Sequence, residues 1–159
     1  MTAPSGTDTA AIHATFTIER TYPAAPARVF HASSDPAAKA RWFAGPPGAA
    51  MERREMDCRV GGRERLAGAH GDGRRFTFEA LYYDVVPDRR LVYAYDMHID
   101  GRHISVSLAT VVLTPAGSGT TMTVTEQGVF LDGHDDAGAR ERGTNSLLDK
   151  LGQSLAVSP

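Results

Sequence analysis

The sequence is short of cysteine and lysine, and it has no long apolar run. Cys58 is the single cysteine among 159 residues, which excludes an internal disulfide and any zinc site built from several cysteines. Lys39 and Lys150 are the only lysines, arginine supplying the other basic residues. The formal net charge of -2 gives nucleic acid and acidic lipid no general attraction, so no nucleic-acid partner is expected. No stretch approaches the ~20 apolar residues that span a bilayer, and the start of the chain lacks the basic and apolar regions of a signal peptide. The expected setting is cytoplasmic, without membrane insertion. What is present is a hydrophobic content of 42%, enough for one domain with a sizeable core.

Residues 1–11 are rich in Thr, Ala, Ser, Gly and Pro and read as a disordered tail, with the domain proper at 12–159. From Ile12 the chain alternates with a period of two, Phe16 and Ile18 on one side and Thr17 and Glu19 on the other, as in a half-buried strand. Arg20 and Tyr22 continue the inward series. Pro26 suits the first turn of a short helix through Val29 and Phe30, and Asp35 with Pro36 caps a second one ending near Trp42. Six further strands follow at about 50–59, 62–69, 75–86, 90–98, 103–114 and 120–129, joined by Gly-, Asp- and Pro-bearing turns that make neighbours antiparallel. Both faces of 75–86 are apolar, which predicts a bulge near Ala80 or a helix over part of the outer face. The last stretch, 135–157, is the only long one with helical spacing. Leu147, Leu148, Leu151 and Leu155 form one stripe, whereas Arg140, Gly143 and Thr144 in the first half are polar or small.

Seven antiparallel strands with one long terminal helix predict an α+β fold in which the sheet curls around that helix. A cavity is expected beside the helix's polar half. The order of local features resembles the START-like or SRPBCC superfamily, the helix-grip fold, and within it the branch of activator homologues of the heat-shock chaperone ATPase (AHSA-like). Pro26, Val29 and Phe30, then Asp35, Pro36 and Trp42, then Asp57 with the Gly61–Gly62 pair match that branch. So do Pro87, Arg90 and Leu91, and, in the last hairpin, Ser107, Thr110, Gly119, Thr120, Thr125 and Glu126. The resemblance covers about Phe16 to Leu155. It departs at Gly143–Thr144, where many members carry Gly-Trp; losing the indole opens space above the sheet. Chaperone activation is not expected, because the resemblance does not extend to the separate amino-terminal domain of the activators.

Candidate chemistry lies on the inner face. Pairing Leu113 with Met122 sets Ala109 beside Glu126, with Ser107 and Ser105 further along. A carboxylate among apolar neighbours costs several kcal/mol unless paired or protonated, which makes Glu126 the leading candidate for a polar anchor. The alternative is a glutamate that reaches water at a strand end. Simple alternation places His103 on the face of Ser105. Tyr93 and Tyr95 join that face if the turn at Asp100 has three residues and face outward if it has two.

The candidate ligand-binding set is Arg20, Trp42, Tyr93, Tyr95, His103, Ser105, Ser107, Glu126, Arg140 and Thr144. No histidine pair shows the i, i+4 helical spacing of a zinc enzyme with an acidic partner between, so no metal and no cofactor are expected. Three functions fit. The first is binding of a hydrophobic aromatic, polyketide- or lipid-like small molecule. The second is a cyclase- or hydratase-like enzyme in the same cavity, as in the polyketide cyclases of the superfamily. The third is a co-chaperone-like protein-interaction module. An exposed edge strand also allows a homodimer.

Overall fold

A computed structural model describes residues 9–157. β1 (Ala11–Tyr22) leads through Pro23 into α1 (Pro26–Ser34) and α2 (Pro36–Ala40). Proline occupies the first turn of both helices, and the Asp35 carboxylate accepts from the Ala38 N–H at 2.9 Å to cap α2. The strands β2 (Ala50–Met56), β3 (Arg63–Ala69), β4 (Arg75–Val86), β5 (Arg90–Ile99), β6 (Arg102–Ala116) and β7 (Gly119–Leu131) follow, then α3 (Ala137–Ala156). They form one antiparallel sheet in the order β1-β7-β6-β5-β4-β3-β2, with β1 and β2 at its edges. This is the expected helix-grip arrangement. Ala11, assigned to the tail on composition, is already the first residue of β1, and the earlier tail residues 1–8 lie outside the described ones.

The long helix starts where its cap dictates. The Asp136 carboxylate accepts from the Ala139 N–H at 2.8 Å, and the last carbonyls, of Leu155 and Val157, accept from the Arg28 guanidinium. Leu148, Leu151 and Leu155 are buried against Ile18, Tyr22, Val29 and Met122, each contributing roughly 1.5–3 kcal/mol by leaving water. The Tyr22 hydroxyl donates to the Leu148 carbonyl at 2.7 Å, and its ring lies against Gly152, where an added Cβ would come within 3.1 Å. Burial raises that phenol's pKa to about 12. The helix therefore sits over β1 and α1, at one side of the curled sheet.

A second, smaller cluster of Leu66, Phe78, Ala80, Tyr95 and Ala109 lines the concave face of β3–β6. The two clusters meet at Phe43 and Tyr93, which pack against both and stay only half-buried. β4 does contain a bulge, but at Tyr83, between the pairs Tyr82↔Tyr93 and Asp84↔Val92. Tyr83 faces outward, 58% exposed, and past the extra residue the inward series passes to Val85, which pairs with Leu91 and packs on the main core.

Candidate functional site

The inner face is set by the β5–β6 hairpin. Asp100 and Gly101 both have positive φ, 50° and 77°, which is the two-residue turn that twists with its strands. Ile99 pairs with Arg102 and His98 with His103. A bulge at Ile104 then shifts the register by one, so that Met97 pairs with Ser105 and Tyr95 with Ser107. The expected link between a two-residue turn and outward tyrosines is thereby overturned: the turn is short, yet Tyr93 and Tyr95 share the concave face with Ser105 and Ser107. The same extra residue corrects the placement of His103. It lies beside His98 on the convex face, away from the other candidates.

On the concave face Tyr95, Ser105, Ser107 and Glu126 converge under α3, which lowers Arg140 and Thr144 onto them. The Tyr95 hydroxyl donates to Glu126 Oε1, and Thr144 Oγ1 reaches Glu126 Oε2 at 3.2 Å. Arg140 donates to the Tyr95 hydroxyl at 3.0 Å, to Ser105 Oγ at 2.7 Å, and to Asp135 Oδ2 at 2.9 Å. Glu126 is 6% exposed, with Phe16 and Ala109 as its cross-strand neighbours. Burial pushes its carboxyl above the usual carboxylate range, while Tyr95, Arg140 and Thr144 pull the other way. Burial beside Glu126 also raises the Tyr95 phenol. A buried carboxyl whose pKa is raised is suited to hold or deliver a proton.

Next to this group is a half-covered apolar surface. Phe43, Met51, Tyr93 and Met97 pack on the smaller cluster while remaining partly exposed. The Tyr93 hydroxyl has no hydrogen-bond partner among the described residues, although Tyr82 and Tyr95 flank its ring at 5.5 and 6.1 Å. At Gly143, on the helix above, an added Cβ would meet nothing within 4 Å. Phe43, Met51, Tyr93 and Met97 thus border the Tyr95–Glu126–Arg140 group on its β3–β5 side.

Two candidates sit elsewhere. Arg20 bonds Asp149 Oδ1 and the Asn145 side chain of α3, fastening the helix to β1. Trp42 is 7% exposed and its indole N–H donates to the Ala32 carbonyl at 2.9 Å. Its outer edge lines a separate groove of about 650 Å3 between the end of α2 and the last turns of α3, with Arg41, Ala44, Gln153 and Val157.

A polar cluster that the sequence reading passed over lies across Tyr93 from Glu126. Lys39 Nζ meets Glu64 Oε1 at 2.7 Å, and the Tyr82 hydroxyl donates to the same oxygen at 2.8 Å. Lys39 is 4% exposed and Glu64 1%, and the ammonium lies 4.4 Å from the Phe43 ring centroid. Half of the signal was available: Glu64 shares the inward alternation of Leu66, and a buried carboxylate needs a partner.

The sequence profile of the family described as Activator of Hsp90 ATPase homolog 1-like protein matches residues 23–156. The chain belongs to this family. A protein from Rhizobium leguminosarum is similar over 92% of this chain and 97% of its own, at 45% identity and a TM-score of 0.88. The Mll3558 protein from Rhizobium loti is 47% identical over 91% of this chain and 99% of its own, with a TM-score of 0.84. An AHSA1-like protein from Aeromonas hydrophila shares the fold at 23% identity over 89% and 92% of the two chains, with a TM-score of 0.70. No curated protein matches the chain. Among the described residues, no helix is long and apolar enough to cross a membrane.

Proposed function

We propose that a trough lies between the polar half of α3 and the concave face of β3–β5, and that this member of the family binds a hydrophobic small molecule, aromatic, polyketide- or lipid-like, in it. The observation that carries the reading is Tyr93. Its ring is enclosed by Tyr82, Tyr95 and Lys39, it keeps partial exposure, and its hydroxyl is free to meet a guest. Phe43, Met51 and Met97 supply apolar area worth about 25 cal/mol per Å2 covered, and the Tyr95–Glu126–Arg140 group fixes orientation. The groove beside Trp42 fits the role less well, because Arg41, Ala44, Gln153 and Val157 face solvent and no enclosed polar group points into it.

A second reading, a cyclase- or hydratase-like enzyme in the same trough, draws support from Glu126. A buried carboxyl with a raised pKa, hydrogen-bonded to a phenol, is suited to proton transfer to or from a bound carbonyl compound.

The test is a thermal-shift and native mass-spectrometry screen with flavonoids, fatty acids and polyketides, run on the wild type and on Thr144→Trp and Gln153→Trp. Thr144→Trp fills the trough with the indole many relatives of the branch carry. Binding lost at least tenfold in Thr144→Trp and kept in Gln153→Trp supports the trough; the reverse pattern, or no ligand for the wild type, overturns it. Turnover abolished by Glu126→Gln with binding retained favours the enzyme.

A further inference from the structure

The hairpin bulge that aims Tyr95 and Ser105 inward has a second product on the other side of the sheet. Asp96 and His98 are two residues apart on β5 and so share the convex face. The two-residue turn brings His103 directly opposite His98. The two imidazoles lie 4.5 Å apart with ring planes only 9° from parallel, and His103 Nε2 is 3.3 Å from Asp96 Oδ2. One donor atom from each of the three residues falls within 4.8 Å of the other two.

We infer that Asp96, His98 and His103 form a surface site for a borderline divalent cation of the zinc, cobalt and nickel class, held by two imidazole nitrogens and one carboxylate. Ligand atoms at about 2.0–2.2 Å from such an ion lie roughly 3.0–3.5 Å from one another. The Asp96–His103 separation already meets that distance, and side-chain rotation of about 1 Å brings the rest into range. Two imidazoles with one carboxylate favour these metals over calcium or magnesium, which take oxygen ligands. The ion would sit on a rigid two-stranded support, with its outward positions open to water or to a ligand from another molecule. Glu79, the cross-strand neighbour of Asp96 on the far side, adds negative charge beside the site, and Val106 closes its near side. A search for helical histidine spacing passes over these residues. The arrangement is legible only as a strand pattern, Asp96-x-His98, an Asp-Gly turn, then His103.

The site stands apart from the trough, so its test does not depend on the ligand reading. Untagged full-length protein, stripped with chelator, is titrated with Co2+ by visible absorption and with Zn2+ by calorimetry. The expected result is one ion per chain, with affinity reduced at least tenfold by His98→Ala, His103→Ala or Asp96→Asn and unchanged by His70→Ala. Histidine ring signals followed by NMR during Ni2+ addition to the wild type give a readout that needs no variant: His98 and His103 broaden first. Absence of stoichiometric binding, or equal broadening of His13, His31, His70 and His134, overturns the assignment. Undiminished affinity in His98→Ala and in His103→Ala overturns it as well.

Discussion

Two buried carboxylates stand on the concave face, and their surroundings differ. Glu64 receives a lysine ammonium and a phenol on one oxygen, at 2.7 and 2.8 Å. Glu126 receives a phenol and a threonine hydroxyl, while the nearest cation, Arg140, spends its contacts on Tyr95, Ser105 and Asp135. Glu64 is thus a charge with a counter-charge in contact, and Glu126 a carboxyl held by neutral donors whose pKa burial has raised. The first fixes α2 to the sheet. The second lies beside the half-buried Tyr93, with no cation in contact among the described residues. Equal burial does not mean equal role: the contacting cation separates scaffold from site.

The largest effect expected from this contrast comes from Lys39→Met. Removing the ammonium leaves Glu64 buried without its counter-charge, which costs about 3–5 kcal/mol. Urea unfolding should show a matching drop in midpoint at unchanged slope. The double variant Lys39→Met/Glu64→Leu, which removes both charges, should recover most of that loss. A double variant as unstable as the single one would mean that Lys39 acts through packing on Phe43 instead.

Much of this architecture is legible in the sequence, for a physical reason. Period-two alternation, turn dipeptides and one leucine stripe are local signals, and they determine seven strands and the gripping helix. The inner-face group of Ser105, Ser107, Ala109 and Glu126 follows from one hairpin register. What could not be read was the bulge at Ile104: its cause is a single extra residue, Ile104, buried together with the next one, Ser105. Alternation has no term for that, so His103 falls on the wrong face and the tyrosines hang on a turn length. The Lys39–Glu64 pair escapes for a different reason: its partners are 25 residues apart and meet only because α2 folds back over β3.

A smaller effect is expected at the phenols. Tyr95→Phe removes a donor to Glu126 and an acceptor for Arg140 at once, for about 1–3 kcal/mol. Tyr82→Phe removes only one of two donors to Glu64, for about 1 kcal/mol. Stabilities measured on both variants sharpen the comparison: if Tyr82→Phe costs more, Glu64 leans on its phenol as heavily as Glu126 does, and the distinction drawn from Lys39 weakens.

The smallest effect, and the most informative, is the pH dependence of Glu126→Gln. Glu126 has a raised pKa in the folded state, so the folded protein binds its proton more tightly than the unfolded chain does. Its contribution to stability is therefore fully present below the ordinary carboxylate range, near pH 4, and declines as pH rises through the raised value. Glutamine keeps a neutral group there at every pH. The stability of Glu126→Gln relative to wild type should then improve steadily from about pH 4 toward neutrality and level off above the raised pKa, with a difference at neutral pH of about 1 kcal/mol or less. Unfolding curves collected at intervals across that range read the difference directly, because the other carboxylates cancel between the two proteins. A flat difference would mean that folding leaves the proton affinity of Glu126 unchanged, and would remove the proton-transfer argument for the trough.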